Sequence, residues 1–313
     1  MQRKSTKLLI KIKPVLKIIK ASRKIVLPGF EGLSLYVVTK FFFKGIQNGT
    51  LNTRAAALSF SFFLALFPTI IFLFTLIPYI PIENFQDNLF NLLQRVMPTA
   101  AFEATEETIS DIISNQRGGL LSFGFVTALY FSTNGFNAMI NAFNETFHEI
   151  ETRKPLEQRL TSLYMLFLTV LLISTSVAIL IYGEFGLSHI LKSNKTLFYV
   201  LSFLKWLVLG GLCYAIISIN YFLGPKRKQG WRFFSAGSML ATVLIIIATV
   251  GFTYYVNNFG NYNKLYGSIG TLIVILMMIY INSLILLLGF DLNASIHSAK
   301  KYHIDRKIRS TVK

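Results

Sequence analysis

Residues 268–290 read SIGTLIVILMMIYINSLILLLGF, 23 residues without a charge. A helix needs about 20 mostly apolar residues to cross the roughly 30 Å hydrocarbon core of a bilayer. Five other stretches qualify, at 55–78, 120–143, 160–182, 197–222 and 234–256. The fourth span carries one charge near its start, Lys205, where a lysine can snorkel to the interface. In hydrocarbon each backbone polar group must be satisfied within its own segment, so these runs are helices. The expectation is an all-α polytopic membrane protein with six transmembrane helices. Composition agrees: 53% of the 313 residues are hydrophobic and 14% charged, against about 25% charged in a soluble domain.

Basic residues set the orientation. Residues 1–54 hold 12 Lys and Arg, and loop 79–119 holds two. Summed over alternate segments, one side carries 25 and the other five. The positive-inside rule then puts both termini in the cytoplasm. The net charge of +17 is accounted for by topogenesis and by attraction to anionic lipid headgroups, without nucleic acid as a partner. Residues 1–29 form a basic cytoplasmic tract, interrupted by Pro14, without the unbroken apolar core of a cleavable signal. Residues 30–297 are the six-helix membrane domain and 298–313 a basic cytoplasmic tail. Residues 30–46 are too short and too charged to span, and read as an interfacial helix. Loop 79–119 reads as a short outer helical hairpin. Its apolar stripes are Phe85, Leu89, Leu92, Leu93 and Val96, then Ile109, Ile112 and Ile113.

The polar groups inside the spans are the unusual feature. Asn134, Asn137, Asn141 and Asn144 fall within about 80° on a helix, with Thr127, Tyr130 and His148 on the same face. Such a face must meet protein or water rather than lipid. It is either interhelical glue or the wall of a polar cavity open to the cytoplasm. Span 6 adds Asn282, with Asn293 on nearly the same face. Arg54 opens span 1, Pro68 should kink that span, and Asp291 closes span 6. Asp291 is expected to pair with Arg54 or Arg153, which makes Arg54, Arg153 and Asp291 a candidate cytoplasmic charge cluster. Gly237-x-x-x-Ala241 is a small-xxx-small pattern of the kind found where membrane helices approach closely.

Catalytic arrangements are missing. His148, His189, His297 and His303 are dispersed without metal-ligand spacing, and Cys213 stands alone in an apolar run. No P-loop or GxSxG appears. No cofactor and no metal site are expected, and the chain does not read as an enzyme.

Several segments together are distinctive. RAAALSFSFFLALFP, AFNETFHEIETRKPLEQR, GP before a basic loop, AGSML and YGSIGTLIVILMMIYINSLILLLGFDLNAS resemble the YihY / virulence factor BrkB family of bacterial inner-membrane proteins, from about residue 30 to 297. The match picks out Arg54, Pro68, Asn144, Arg153, Pro225, Gly237, Tyr266, Gly267, Gly289 and Asn293. Gly289-Phe290-Asp291 departs from the family's common Gly-Ala-Glu and shortens the acid by a methylene. The resemblance implies an envelope-related inner-membrane protein, once mislabelled ribonuclease BN. The first expectation is a transporter, exporter or flippase-like protein for an amphipathic or anionic molecule. The alternative is a non-transporting scaffold or assembly factor. A ribonuclease comes last, since no site for one can be named. No motif assigns a substrate or an oligomeric state.

Overall fold

Seven runs of helix-forming, mostly apolar sequence are laid out in chain order in the computed structural model. It describes residues 21–26, 29–47, 50–79, 90, 106–107, 109–112, 114–146, 153–191, 195–226, 233–259 and 268–311. The helices are α1 (Leu35–Gln47), α2 (Leu51–Leu76), α3 (Gly118–Thr146), α4 (Pro155–Leu191), α5 (Lys195–Leu223), α6 (Ala236–Phe259) and α7 (Ser268–Thr311). A 3-10 turn, Ile77–Tyr79, follows α2, and no strand occurs among the described residues.

Five of these helices are long and apolar enough to cross a membrane: Leu51–Tyr79, Pro155–Leu180, Thr196–Leu223, Ala236–Val256 and Leu272–Tyr302. α3, the expected second span, is equally long at 29 residues but is not among the five. Its asparagines, serines and threonines dilute its hydropathy. Large apolar side chains face outward all round the bundle, including Phe167, Phe203, Trp206 and Val250. A bundle coated this way suits hydrocarbon rather than water.

α2 and α3 pack antiparallel over most of their length. The Phe62 and Phe136 rings meet edge-on at 5.7 Å and those of Phe72 and Phe125 at 5.5 Å. α2 runs through Pro68 as one helix. The core centre joins α3, α5 and α7: Phe143 stacks on Phe290 at 4.0 Å, and Tyr221 lies edge-on to both. The Tyr221 hydroxyl donates to the Leu286 carbonyl, which satisfies its polar end within the apolar cluster.

α6 and α7 touch backbone to backbone. A Cβ on Gly237 would lie 2.0 Å from the Gly289 carbonyl oxygen, and one on Gly289 would lie 2.6 Å from that of Gly237. Asn293 fixes the crossing. Its Oδ1 accepts from the Gly237 N–H at 2.8 Å, and its Nδ2 donates to Ser235 Oγ at 2.9 Å. Ser235 Oγ in turn accepts the Ser238 N–H at 3.2 Å. The free donors at the start of α6 are thus met from its own cap and from a second helix.

Two sequence expectations change here. The sixth span was bounded at 290, but the helix that contains it, α7, is 44 residues long and continues to Thr311. The interfacial segment forms α1, which is docked: Phe30 and Val38 bury against Leu292 and Ile296 of α7, and Lys300 pairs with Glu31 at 2.5 Å. The first stripe of the expected hairpin, 85–96, lies outside the described residues, as do Tyr266, Gly267 and His148. Of the second, Asp111 pairs with Arg117 at 2.5 Å. Hydrogen bonds from Arg117 and then Asn115 hold the Asp111 carboxyl below the usual range.

Candidate functional site

A buried ion pair lies where α2, α3 and α7 converge. Arg54 NH2 meets Asp291 Oδ2 at 3.2 Å, and both side chains are under a tenth exposed. Arg54 NH1 donates to the Ala142 carbonyl at 2.9 Å and to Thr146 Oγ1. Thr146 completes the triangle by donating to Asp291 Oδ1 at 2.8 Å. Arg54 is the second turn's entry into the core because Leu51, Ala55 and Leu58 on the same side of α2 are buried. Ala142 and Thr146 stand one turn apart on α3, which presents a carbonyl and a hydroxyl together.

Arg153 does not join this cluster, contrary to the three-residue grouping expected from sequence. It donates to the carbonyls of Leu223 at 3.0 Å, Gly224 at 2.6 Å and Pro225 at 2.9 Å. These are acceptors freed at the end of α5. Arg153 is a helix-end clamp, buried enough that desolvation pulls its guanidinium below its ordinary range. Glu157, at 3.8 Å, opposes that pull.

The asparagine face of α3 meets the first turns of α4. Gln158 Nε2 donates to Asn137 Oδ1 and, at 2.8 Å, to Asn141 Oδ1. Arg159 donates to Asn134 Oδ1 and to the Tyr130 carbonyl, and its guanidinium lies 5.0 Å from the centre of the Tyr130 ring. Asn144 Oδ1 accepts the Lys226 N–H at 3.3 Å, and its Nδ2 is buried without a partner among the described residues. The Thr127 hydroxyl bonds back to its own helix at Phe123 and Gly124. The face is stitched to a neighbouring helix and lines neither of the two cavities described below. Gln158→Leu is expected to lower stability by about 1 kcal/mol, because half-buried Asn137 and exposed Asn141 lose one shared donor. Thermal unfolding in detergent checks this, and an unchanged midpoint refutes it.

A cavity of about 420 Å³ lies deeper, bounded by α2 to α7. Leu58, Phe62, Ala65, Phe136, Leu166 and Ile245 supply apolar wall, and Asn220 and Asn282 are its amides. Asn282 is the one member of the expected polar set that the cavity wall contains. Asn220 was missed: a single asparagine in CYAIISINYFL gives no periodic signal. Both Oδ1 atoms are buried without a hydrogen-bond partner among the described residues. Each such group costs about 1–3 kcal/mol while unmet.

A second cavity of about 730 Å³ adjoins the first between α2, α3 and α4. The two share Thr69, Ser132, Leu166 and Val170. Its rim includes Leu160, Tyr164, Phe167 and Phe125, all exposed on the outside of the bundle. The shared residues set the two mostly apolar cavities side by side, one with its rim on the lateral face of the bundle and the other with the amides in its wall. Among the described residues no group of three His, Cys, Asp or Glu could hold a metal ion.

Comparison with known proteins matches the sequence to one group. The sequence profile of the virulence factor BrkB family matches residues 42–311. The chain is similar to YfkH of Bacillus subtilis (strain 168), a protein with a provisional ribonuclease-like name. They are 32% identical over 256 residues, 80% of this chain and 91% of the relative. It is also similar to a UPF0761 membrane protein of Haemophilus influenzae (strain 86-028NP), 25% identical over 82% of this chain and 93% of that one. A UPF0761 membrane protein of Vibrio campbellii (strain ATCC BAA-1116) is 25% identical over 85% of this chain and 84% of its own length. No solved structure matches.

Proposed function

The chain belongs to the virulence factor BrkB family of membrane proteins, and from that premise we propose that it is a transporter of the bacterial inner membrane, exporter or flippase-like, for an amphipathic molecule. The observation that carries this reading is the pair of cavities: an apolar groove whose rim lies on the outer face of the bundle and which adjoins a central cavity bearing two unmet amides. A molecule with an apolar body and a polar group can enter such a groove from lipid. A scaffold has no use for it.

In this proposal α3 crosses the membrane as the second of six spans, tolerated in hydrocarbon because its asparagines bond to α4 rather than face lipid. Both termini are cytoplasmic, so the Arg54–Asp291 end faces inward. The basic inner face attracts anionic headgroups. The ion pair closes the bundle below the cavity. No enzymatic step is part of the proposal, and the ribonuclease-like label of one relative is not carried over.

The test uses the purified full chain in proteoliposomes with NBD-labelled glucosylceramide and galactosylceramide, amphipathic lipids with uncharged hydroxylated headgroups, quenched from outside by dithionite. Wild type is expected to expose inner-leaflet probe at least about tenfold faster than empty vesicles, a difference of about 1.4 kcal/mol in barrier. Ala65→Phe, which fills the cavity wall, is expected to return the rate to the vesicle background while the protein remains monodisperse. Equal rates with and without wild-type protein would overturn the reading for these lipids.

A further inference from the structure

We propose that the central cavity is a binding site for an uncharged hydrogen-bond donor, such as a hydroxyl, carried on an apolar molecule, with Asn220 and Asn282 as its acceptors. This deepens the transport reading by naming the chemical class that the cavity takes.

Asn220 is 3% exposed and belongs to α5. Its Nδ2 donates to the Ile216 carbonyl at 2.7 Å and to Thr169 Oγ1 at 3.3 Å. Those two bonds fix which way the amide faces. They leave Oδ1 as a committed acceptor with nothing to accept. Asn282, on α7, lines the same cavity, and its Oδ1 is also buried without a partner among the described residues. Two orphaned acceptors on different helices around one hollow call for a donor from outside the chain.

The rest of the wall limits what that donor can be. Among the described residues no Lys, Arg, His, Asp or Glu lines the cavity. An ionised group there would lose its hydration without gaining a counter-charge, a heavy cost at membrane depth. The walls are otherwise Leu, Ile, Phe, Met, Val and Ala with a few hydroxyls. At about 420 Å³, the cavity falls in the range of ordinary small-molecule pockets. An anionic group, which the sequence alone left open, does not suit this chamber.

The experiment uses the full chain in lipid nanodiscs and three photoactivatable probes. Each carries a diazirine on a dodecyl chain, and they end in a hydroxyl, a methyl ether or a carboxylate. Labelling of the cavity-wall peptides is read by mass spectrometry and normalised to the Asn220→Leu/Asn282→Leu double variant. In wild type the alcohol is expected to label about fivefold more than the ether, the worth of one hydrogen bond. The carboxylate is expected to label least. Each single leucine variant should bring the alcohol-to-ether ratio towards one. Equal labelling by alcohol and ether in wild type overturns the proposal, as does a ratio that neither single variant changes. That outcome means water alone fills the cavity. The substitutions sit on different helices, so a variant that does not fold leaves the other to decide. Labelling needs no net movement. An alcohol preference in a protein that transports nothing refutes the transport reading and keeps the site. Transport without that preference does the reverse.

Discussion

Asp291→Ala is expected to destabilise the protein by about 3–5 kcal/mol, the usual cost of stranding one member of a buried ion pair. Arg54 is 8% exposed, and Asp291 is its carboxylate partner at 3.2 Å. Its remaining bonds, to Ala142 and Thr146, are to neutral oxygens. Removing the acid leaves a guanidinium among Leu51, Ala55 and Leu58 with no counter-charge. Thr146 loses its acceptor on Asp291 in the same stroke. The double variant Arg54→Met/Asp291→Ala should recover most of the loss, since two uncharged side chains remove the problem together. Thermal unfolding in detergent gives both numbers. If the single variant melts where wild type does, or the double variant is no better than the single, the ion pair is not what holds these three helices.

Gly237→Val should have an effect at least as large. Its Cβ would stand 2.0 Å from the Gly289 carbonyl oxygen and 2.6 Å from Asn293. The obstacle is backbone, which no rotamer change moves aside. Overpacking costs typically about 1–3 kcal/mol, and more where the backbone must separate. The variant therefore loses about 3 kcal/mol or more, together with the Asn293 bond to the Gly237 N–H. Gly210→Ala, Gly211→Ala and Gly251→Ala are the controls, because a Cβ at each meets nothing within 4 Å. These should be neutral or slightly stabilising, as alanine is the better helix former by about 1 kcal/mol. Size-exclusion profiles and melting midpoints across the four variants test the contrast. A monodisperse, fully stable Gly237→Val protein would contradict the crossing described here.

Some of this architecture was legible in the sequence because hydrocarbon imposes simple rules. Long uncharged runs gave helices, although α7 ran on past its apolar part: Ala294, Ile296 and Ala299 are buried beyond the span's expected end at 290. Arg54 and Asp291 each sat at the end of a span, and two opposite charges at that depth have few other partners. Arg153 was misassigned because opposite charges are not the only answer to a buried guanidinium. Three carbonyls at a helix end serve as well, and helix ends are invisible to charge counting. The asparagine stripe was legible as a face but not as a contact, since periodicity gives direction and says nothing of the neighbour. Gln158 and Arg159 look like ordinary loop-proximal residues until α4 is laid beside α3. Asn220 had no signal at all, because one amide in an apolar run reads the same whether it is glue or a ligand site.

α7 runs from Ser268 to Thr311 with no proline to interrupt it, which at 1.5 Å per residue makes a shaft of about 66 Å. Asn282 at the cavity and Asp291 at the ion pair are two marks on that shaft, about 13 Å apart. Asn293 and Ile296 are two more, tied to α6 and α1. Without a joint between the marks, a twist applied at one arrives at the others. A fluorophore on Lys300, far from the chamber, should therefore register what happens at Asn282.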